Sequence, residues 1–309
     1  MRKGKVIVIV GTTATGKSDL GVKIAKKLNP PSALSGGGGE IISADSRQVY
    51  KGLDIGTGKI TKEEMKSVSH HLLDVINPKK KFTVFDYQKK AISAMAEIAK
   101  KGKVPIIVGG TGFYIDAVTK GVVLPKVPPN HTLRRKLVKN SAIALFLTLK
   151  KIDPARAKNI DPHNKIRLIR AIEIAKALGK VPHLAVKPPS YRFIKIGLVL
   201  PPDVLKKKVE KRVKKMFTDG LLDEIKKLKR SGVSEKRLRE FGFEYNNPTP
   251  ESVITNTLKY AKRQATWFKR DPEIKWFTPS GAEGFGRKDY KKIISFLEKE
   301  VSKKPKLHQ

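Results

Sequence analysis

Val6 to Val10 are apolar without a break, and they run into the glycine-bearing turn Gly11 to Gly16 and a stretch with helical spacing from Lys17 to Leu28. A short continuous apolar run predicts a strand covered on both faces, so these segments open a strand, loop, helix unit. Glu40 to Ala44 and Val104 to Val108 read as further buried strands, and Phe82 to Lys100 as a helix with Thr83 at its N-cap. The Pro, Ser and Gly stretch Asn29 to Gly39 reads as a loop. Strand and helix alternate, which predicts a largely parallel sheet with flanking helices.

Near Lys120 the pattern turns Pro-rich and basic, with helical stretches at Thr132 to Lys139 and Asn164 to Leu178. Strand character returns at Phe193 to Leu200, followed by helices at Pro201 to Lys229 and Pro250 to Arg270. A last strand at Ile274 to Phe277 and a helix at Tyr290 to Val301 complete the chain, and the basic Lys303 to Lys306 reads as a frayed tail. We therefore expect an α/β, P-loop NTPase-like core formed by 1–118 and 192–309, split by an inserted basic helical domain over 119–191. No internal repeat is visible.

Length and composition narrow the function classes. A chain of 309 residues can hold one large core and a smaller unit. No run reaches the roughly 18 apolar residues of a membrane helix, and the short lead into Val6 does not resemble a signal peptide, so a cytoplasmic protein is expected. With no cysteine, disulfide scaffolds, thiolate nucleophiles and thiolate metal sites are excluded. The excess of 66 basic over 28 acidic residues, a formal +38, calls for a polyanionic partner, and nucleic acid is the natural one. The imbalance is steepest over residues 121–200, where seventeen Lys or Arg face three acids.

The sharpest local signal is Gly11, Thr12, Thr13, Ala14, Thr15, Gly16, Lys17 and Ser18, which fits G-x-x-x-x-G-K-[ST] between a strand and a helix. Such a loop turns backbone N–H groups inward as an anion nest, Lys17 adds a cation, and Ser18 can reach a magnesium ion. A di- or triphosphate is the expected ligand, nucleotide or not. Asp45 ends the second strand, at the same carboxyl edge of a parallel sheet. There it can take a proton from a nucleophile, or cap the next turn.

Ser43 to Tyr50, together with the phosphate loop and Asp54 to Lys59, resembles the tRNA dimethylallyltransferase (tRNA isopentenyltransferase) family. The likeness continues through His70 to Asp74, Val108 to Tyr114, Arg167 to Glu173 and Lys262 to Phe268, spanning about residues 5–278. The absence of cysteine makes it the bacterial type, without the zinc finger of some eukaryotic members. The resemblance implies transfer of a dimethylallyl group from dimethylallyl diphosphate to N6 of the adenosine 3′ of the tRNA anticodon. It implies Asp45 as general base, Ser18 and the loop holding the diphosphate with Mg2+, and Arg212 neutralising it; Gly109, Gly110 and Gly112 can make a second backbone nest in which the Thr111 hydroxyl also binds the diphosphate. It further places Asp45, Ser46, Gln48, Arg167, Arg170, Arg263, Gln264 and Trp267 as tRNA contacts of a monomer acting on the anticodon stem-loop.

Some of these residues have plainer readings. Trp267 beside Phe268 can be core packing, Gly109 to Gly112 can be a tight turn rather than a second nest, and Arg170 can pair with Glu173 three residues on. Adjacent His70 and His71 point to opposite faces of an extended segment and do not make a metal site. Thr12, Gly58 and Ser69 depart from the family's usual Pro, Ala and Pro, and His163-Asn164 stands where Asn-Asp is common. The rival functions are a small-molecule P-loop kinase, an adenylate isopentenyltransferase working on free nucleotides, and a nucleotide-switched RNA-binding module.

Overall fold

The computed structural model describes residues 4–28, 38–182 and 186–303, so most of the Asn29 to Gly39 loop and of the Lys303 to Lys306 tail lies outside the described residues. The chain divides into two compact units, Met1–Thr119 with Pro189–Gln309, and Lys120–Pro188.

Along the chain the first unit runs β1 (Lys5–Gly11), α1 (Lys17–Lys27), β2 (Gly39–Ala44), α2 (Lys62–Met65), β3 (His70–His71), α3 (Val84–Lys100), β4 (Val104–Gly109) and α4 (Gly112–Thr119). The second unit holds α5 (His131–Leu137), α6 (Ala142–Ile152), α7 (Pro154–Ala157) and α8 (Lys165–Leu178). The first unit resumes with β5 (Arg192–Leu198), α9 (Pro202–Thr218), α10 (Leu221–Arg230), α11 (Glu235–Phe241), α12 (Pro250–Phe268), β6 (Lys275–Phe277) and α13 (Arg287–Ser302).

The six strands form one sheet in the order β3-β2-β4-β1-β5-β6, with every pairing parallel. Val6 to Val10 have no exposed surface because β1 is central and helices cover both faces, which is why its sequence does not alternate. One core packs α3 and α4 on one face, and the other packs α1 and α13 opposite. A third, built from Val49, Tyr50, Leu53 and the apolar sides of α10 and α11, carries the segment after β2. Thr83 caps α3 in a capping box with Asp86, as its position predicts.

Two expectations fail for local reasons. The single helix over Pro201 to Lys229 is two helices, α9 and α10, because Gly220 adopts φ 98° and ends the run. The chain turns there without the steric cost another residue would meet, so a continuous helical pattern conceals a corner. Among its described residues the second unit has four helices rather than two: α6 is apolar on most sides and lacked a clear 3.6-residue signal.

In the second unit Leu137, Leu145, Leu149, Leu168 and Ile172 form the core. Glu173, 2% exposed, accepts from Arg134 Nη2 at 2.7 Å, Arg170 Nη1 at 2.5 Å and the Asn130 N–H at 2.6 Å. Burial alone would raise its pKa, but the two guanidinium groups and the amide outweigh that and bring it to about 2. Arg170 also donates to the Val127 carbonyl at 2.8 Å, so it is committed to this buried network, whereas Arg167 is exposed. Asn164 caps α8 by accepting from Arg167 N–H at 3.1 Å.

Candidate active site

Because β1, β2 and β4 are parallel neighbours, their C-terminal ends deliver the phosphate loop, Asp45 and Gly109-Gly110 to one edge. A cavity of about 750 Å³ opens there, lined by Thr13 to Ser18, Asp45 to Gln48, Gly56 to Gly58, Arg212, Glu244, Tyr260, Arg263 and Gln264. Ile60, Val213, Met216, Phe241 and Phe243 add an apolar wall. Thr13 to Ser18 face this space, while Gly11 and Thr12 are buried.

The cations are held by opposing forces. Lys17 Nζ donates to the Thr12 carbonyl at 2.5 Å; burial first, then the neighbouring Arg212, push its pKa down to about 7, with Asp45 pulling the other way. Arg212 comes from α9 and donates to Thr13 Oγ1 at 3.4 Å and to the Thr57 carbonyl at 3.1 Å. Its guanidinium lies on Gly58, where φ is 54° and an added Cβ would collide with Nη2. The departure at Gly58 is thus what gives Arg212 its seat in this chain.

Asp45 does both things its position allows. Oδ1 accepts from the Arg47 and Gln48 N–H groups at 2.8 and 3.3 Å, closing the turn. Oδ2 has no hydrogen-bond partner among the described residues, and the residue lines the cavity, so one carboxylate oxygen remains available to a ligand. Ser46 N–H donates to Thr111 Oγ1 at 3.1 Å, which sets Thr111 behind the Asp45 turn.

On α12 the buried positions Val253, Thr257, Ala261, Gln264 and Phe268 follow helical spacing, so Gln264 points inward with the core stripe. Its Nε2 donates to Gly110 O at 3.0 Å and its Oε1 accepts from Thr13 N–H at 2.8 Å, tying β4 to the phosphate loop. Gln264→Leu would strand both groups and is expected to lower unfolding stability by roughly 2 kcal/mol. A urea midpoint unchanged at constant slope would contradict this. Trp267 donates to Asp116 Oδ2 at 3.2 Å and meets Phe113 edge-on at 6.4 Å, and it is not among the residues that line the cavity. Arg263 is exposed at the rim, 5.7 Å from the Tyr260 ring.

Among the lining residues not singled out from the sequence are Glu244 and Tyr260. Glu244 sits where burial pushes its carboxyl up to about 7 against the pull of Arg212 and Arg47. Tyr260, with burial raising its hydroxyl to about 12, hydrogen-bonds Thr111. Only an aromatic four residues before Gln264 on one helix could have flagged Tyr260; Glu244 carries no local signal.

A phosphate loop, a carboxylate with one free oxygen and a guanidinium around one partly apolar cavity define an α/β enzyme with a P-loop-like site. The chain belongs to the IPP transferase family, whose profile matches residues 48–271. It is 37% identical over 294 residues, 89% of this chain and 91% of the relative, to a tRNA dimethylallyltransferase of Pelotomaculum thermopropionicum. Among solved structures it matches the full-length tRNA isopentenylpyrophosphate transferase of Bacillus halodurans with TM-score 0.66 and 36% identity, covering 96% of both chains. A eukaryotic dimethylallyltransferase acting on tRNA superposes with TM-score 0.79 at 25% identity, over 99% of this chain and 81% of that one.

Proposed function

We propose that this chain transfers a dimethylallyl group from dimethylallyl diphosphate to N6 of the adenosine 3′-adjacent to the anticodon in tRNA, releasing diphosphate. The observation that carries it is the placement of the free Asp45 oxygen, Arg212 and the phosphate loop around one cavity. The amine lone pair forms the new C–N bond at the allylic carbon, the C–O bond breaks, and its electrons leave on the diphosphate. The amine proton passes to Asp45 Oδ2. Lys17, Arg212 and the Thr13 to Ser18 amides hold the charge that gathers on the leaving group. The apolar wall of Val213, Met216 and Phe243 suits the five-carbon tail and limits water.

The donors near the loop are hard oxygens, the Ser18 hydroxyl and the diphosphate itself, and among the described residues there is no cluster of three His, Cys, Asp or Glu. That set fits Mg2+, which retains phosphate and water ligands and would neutralise diphosphate charge when bound. The adenine must leave its stack to reach Asp45, at a cost of a few kcal/mol. Tyr260 and Arg263 are placed to receive it, and Ser46 and Gln48 line the same approach.

The second unit supplies the field for the rest of the tRNA: Arg135, Lys136, Lys139, Lys151 and Arg167 are exposed on a segment almost without free acids. A monomer acting in the cytoplasm is the simplest form of this reading. No described helix is long and apolar enough to cross a membrane.

An anticodon stem-loop with adenosine at that position should be prenylated with dimethylallyl diphosphate and Mg2+ in the absence of ATP. Guanosine at the same position should give no product, because the nucleophilic amine is gone. An unmodified stem-loop together with ATP-dependent phosphorylation of a small acceptor would replace this reading by the kinase.

A further inference from the structure

We propose that Glu224 is a positioning residue for the reaction: it clamps the Asp54 to Gly58 loop and thereby sets Arg212 against the phosphate loop. The inference rests on the diphosphate-binding role given to Arg212 above. Glu224 lies on α10, next to Leu221, Ile225 and Leu228 of the buried stripe, and it does not line the cavity.

Its carboxylate is saturated by four donors. Oε2 accepts from Asp54 N–H at 2.9 Å and Ile55 N–H at 2.7 Å, and Oε1 accepts from Gly56 N–H at 3.1 Å and Tyr245 Oη at 2.8 Å. Three successive amides aimed at one point form an anion nest, the arrangement a loop uses for a phosphate. Here a carboxylate of the same chain fills the nest, and bonds to an ionised acceptor are about twice as strong as neutral ones. Tyr245 is buried beneath it, so the clamp is backed by the core.

The clamped segment ends at the site. Gly58 N–H donates to Ile55 O and Lys59 N–H to Asp54 O, both at 2.9 Å, which folds the loop into a tight turn. That turn presents the Thr57 carbonyl to Arg212 Nη2 at 3.1 Å and to Gln48 Nε2 at 3.3 Å. Arg212 then reaches Thr13 of the phosphate loop, while Gln48 belongs to the turn capped by Asp45. One carboxylate outside the cavity therefore fixes the carbonyl that aligns the leaving-group cation. Without it the amides of residues 54–56 lose their common acceptor, and the Thr57 carbonyl is held only by bonds internal to the turn, among them Thr57 Oγ1 to the Leu53 carbonyl at 2.7 Å. Displacement of a catalytic partner by about 1 Å costs up to a hundredfold in rate.

The test is a double-mutant cycle of Glu224→Gln and Arg212→Ala, read as single-turnover transfer to the stem-loop and, separately, as affinity for inorganic diphosphate by calorimetry. Gln keeps the size of Glu but turns an NH2 group toward the donors. Expected is a ten- to hundredfold slower transfer for Glu224→Gln with Arg212 present. Diphosphate affinity falls with it, and less than a twofold effect of Glu224→Gln remains once Arg212 is Ala. An equal factor in both backgrounds would show a general structural role and overturn the proposal. If Glu224→Gln does not fold at the assay temperature, Tyr245→Phe, which removes only the bond to Oε1, replaces it in the same cycle with a smaller expected factor. If the unaltered protein transfers no prenyl group, the functional reading fails while the diphosphate cycle still decides the clamp.

Discussion

Replacing Asp45 by Asn is expected to slow prenyl transfer about a thousandfold while both substrates still bind. The substitution is unusually clean, because the two oxygens of this carboxylate have separate tasks. Oδ1 closes the turn by accepting from Arg47 and Gln48, and the Asn carbonyl can continue to do so. Only the second position changes, from an acceptor of the amine proton to an NH2 group that cannot take it. Single-turnover assays with saturating stem-loop and dimethylallyl diphosphate, together with equilibrium binding of each, check this. Transfer within tenfold of the original rate would remove Asp45 from the role of base, and lost tRNA binding would make it a contact instead.

Lys17→Met is expected to weaken dimethylallyl diphosphate binding about a hundredfold, since the loop loses a charge-assisted donor to the diphosphate. A second consequence concerns protons. Burial and Arg212 bring the Lys17 pKa down to about 7, so at pH 8 the free protein holds this amine largely neutral. A bound diphosphate favours the ammonium form, so binding at pH 8 should take up a proton, and the uptake should fade toward pH 6, where the amine is already charged. Arg212, although also lowered by burial, stays charged throughout and contributes nothing. Calorimetry at pH 8 in two buffers of different ionisation enthalpy measures the uptake. Identical heats in both buffers, or an uptake that persists in Lys17→Met, would assign the effect elsewhere.

Much of the frame was legible in the chain because it is local. The apolar run of β1, the glycines and Lys17 behind it, and Asp45 at the end of β2 each declare a strand, a nest and an edge position within a dozen residues. A parallel sheet then obliges these ends to meet, so the order of strands and loops along the chain is enough to bring the phosphate loop and the carboxylate together. Breaks in that reading came where local pattern is ambiguous: Gly220 turns a corner inside a helical run, and α6 is too evenly apolar to show its period.

Roles that depend on long-range contact were not legible. Gln264 has the look of an exposed polar residue in a basic helix, yet helical phase puts it in the buried stripe, where it joins Thr13 to Gly110. Arg170 matches the family block, but its partner Glu173 is buried and draws in Arg134 as well. Glu224 meets amides about 170 positions away in the chain, and Glu244 reaches the cavity on a short turn after α11. What the sequence alone determined is the chemistry available at the sheet edge, because backbone geometry and strand order make that edge a single place. Only the tertiary structure decided which side chains aim that chemistry, because hydrogen bonds between distant segments leave no period or spacing in the sequence.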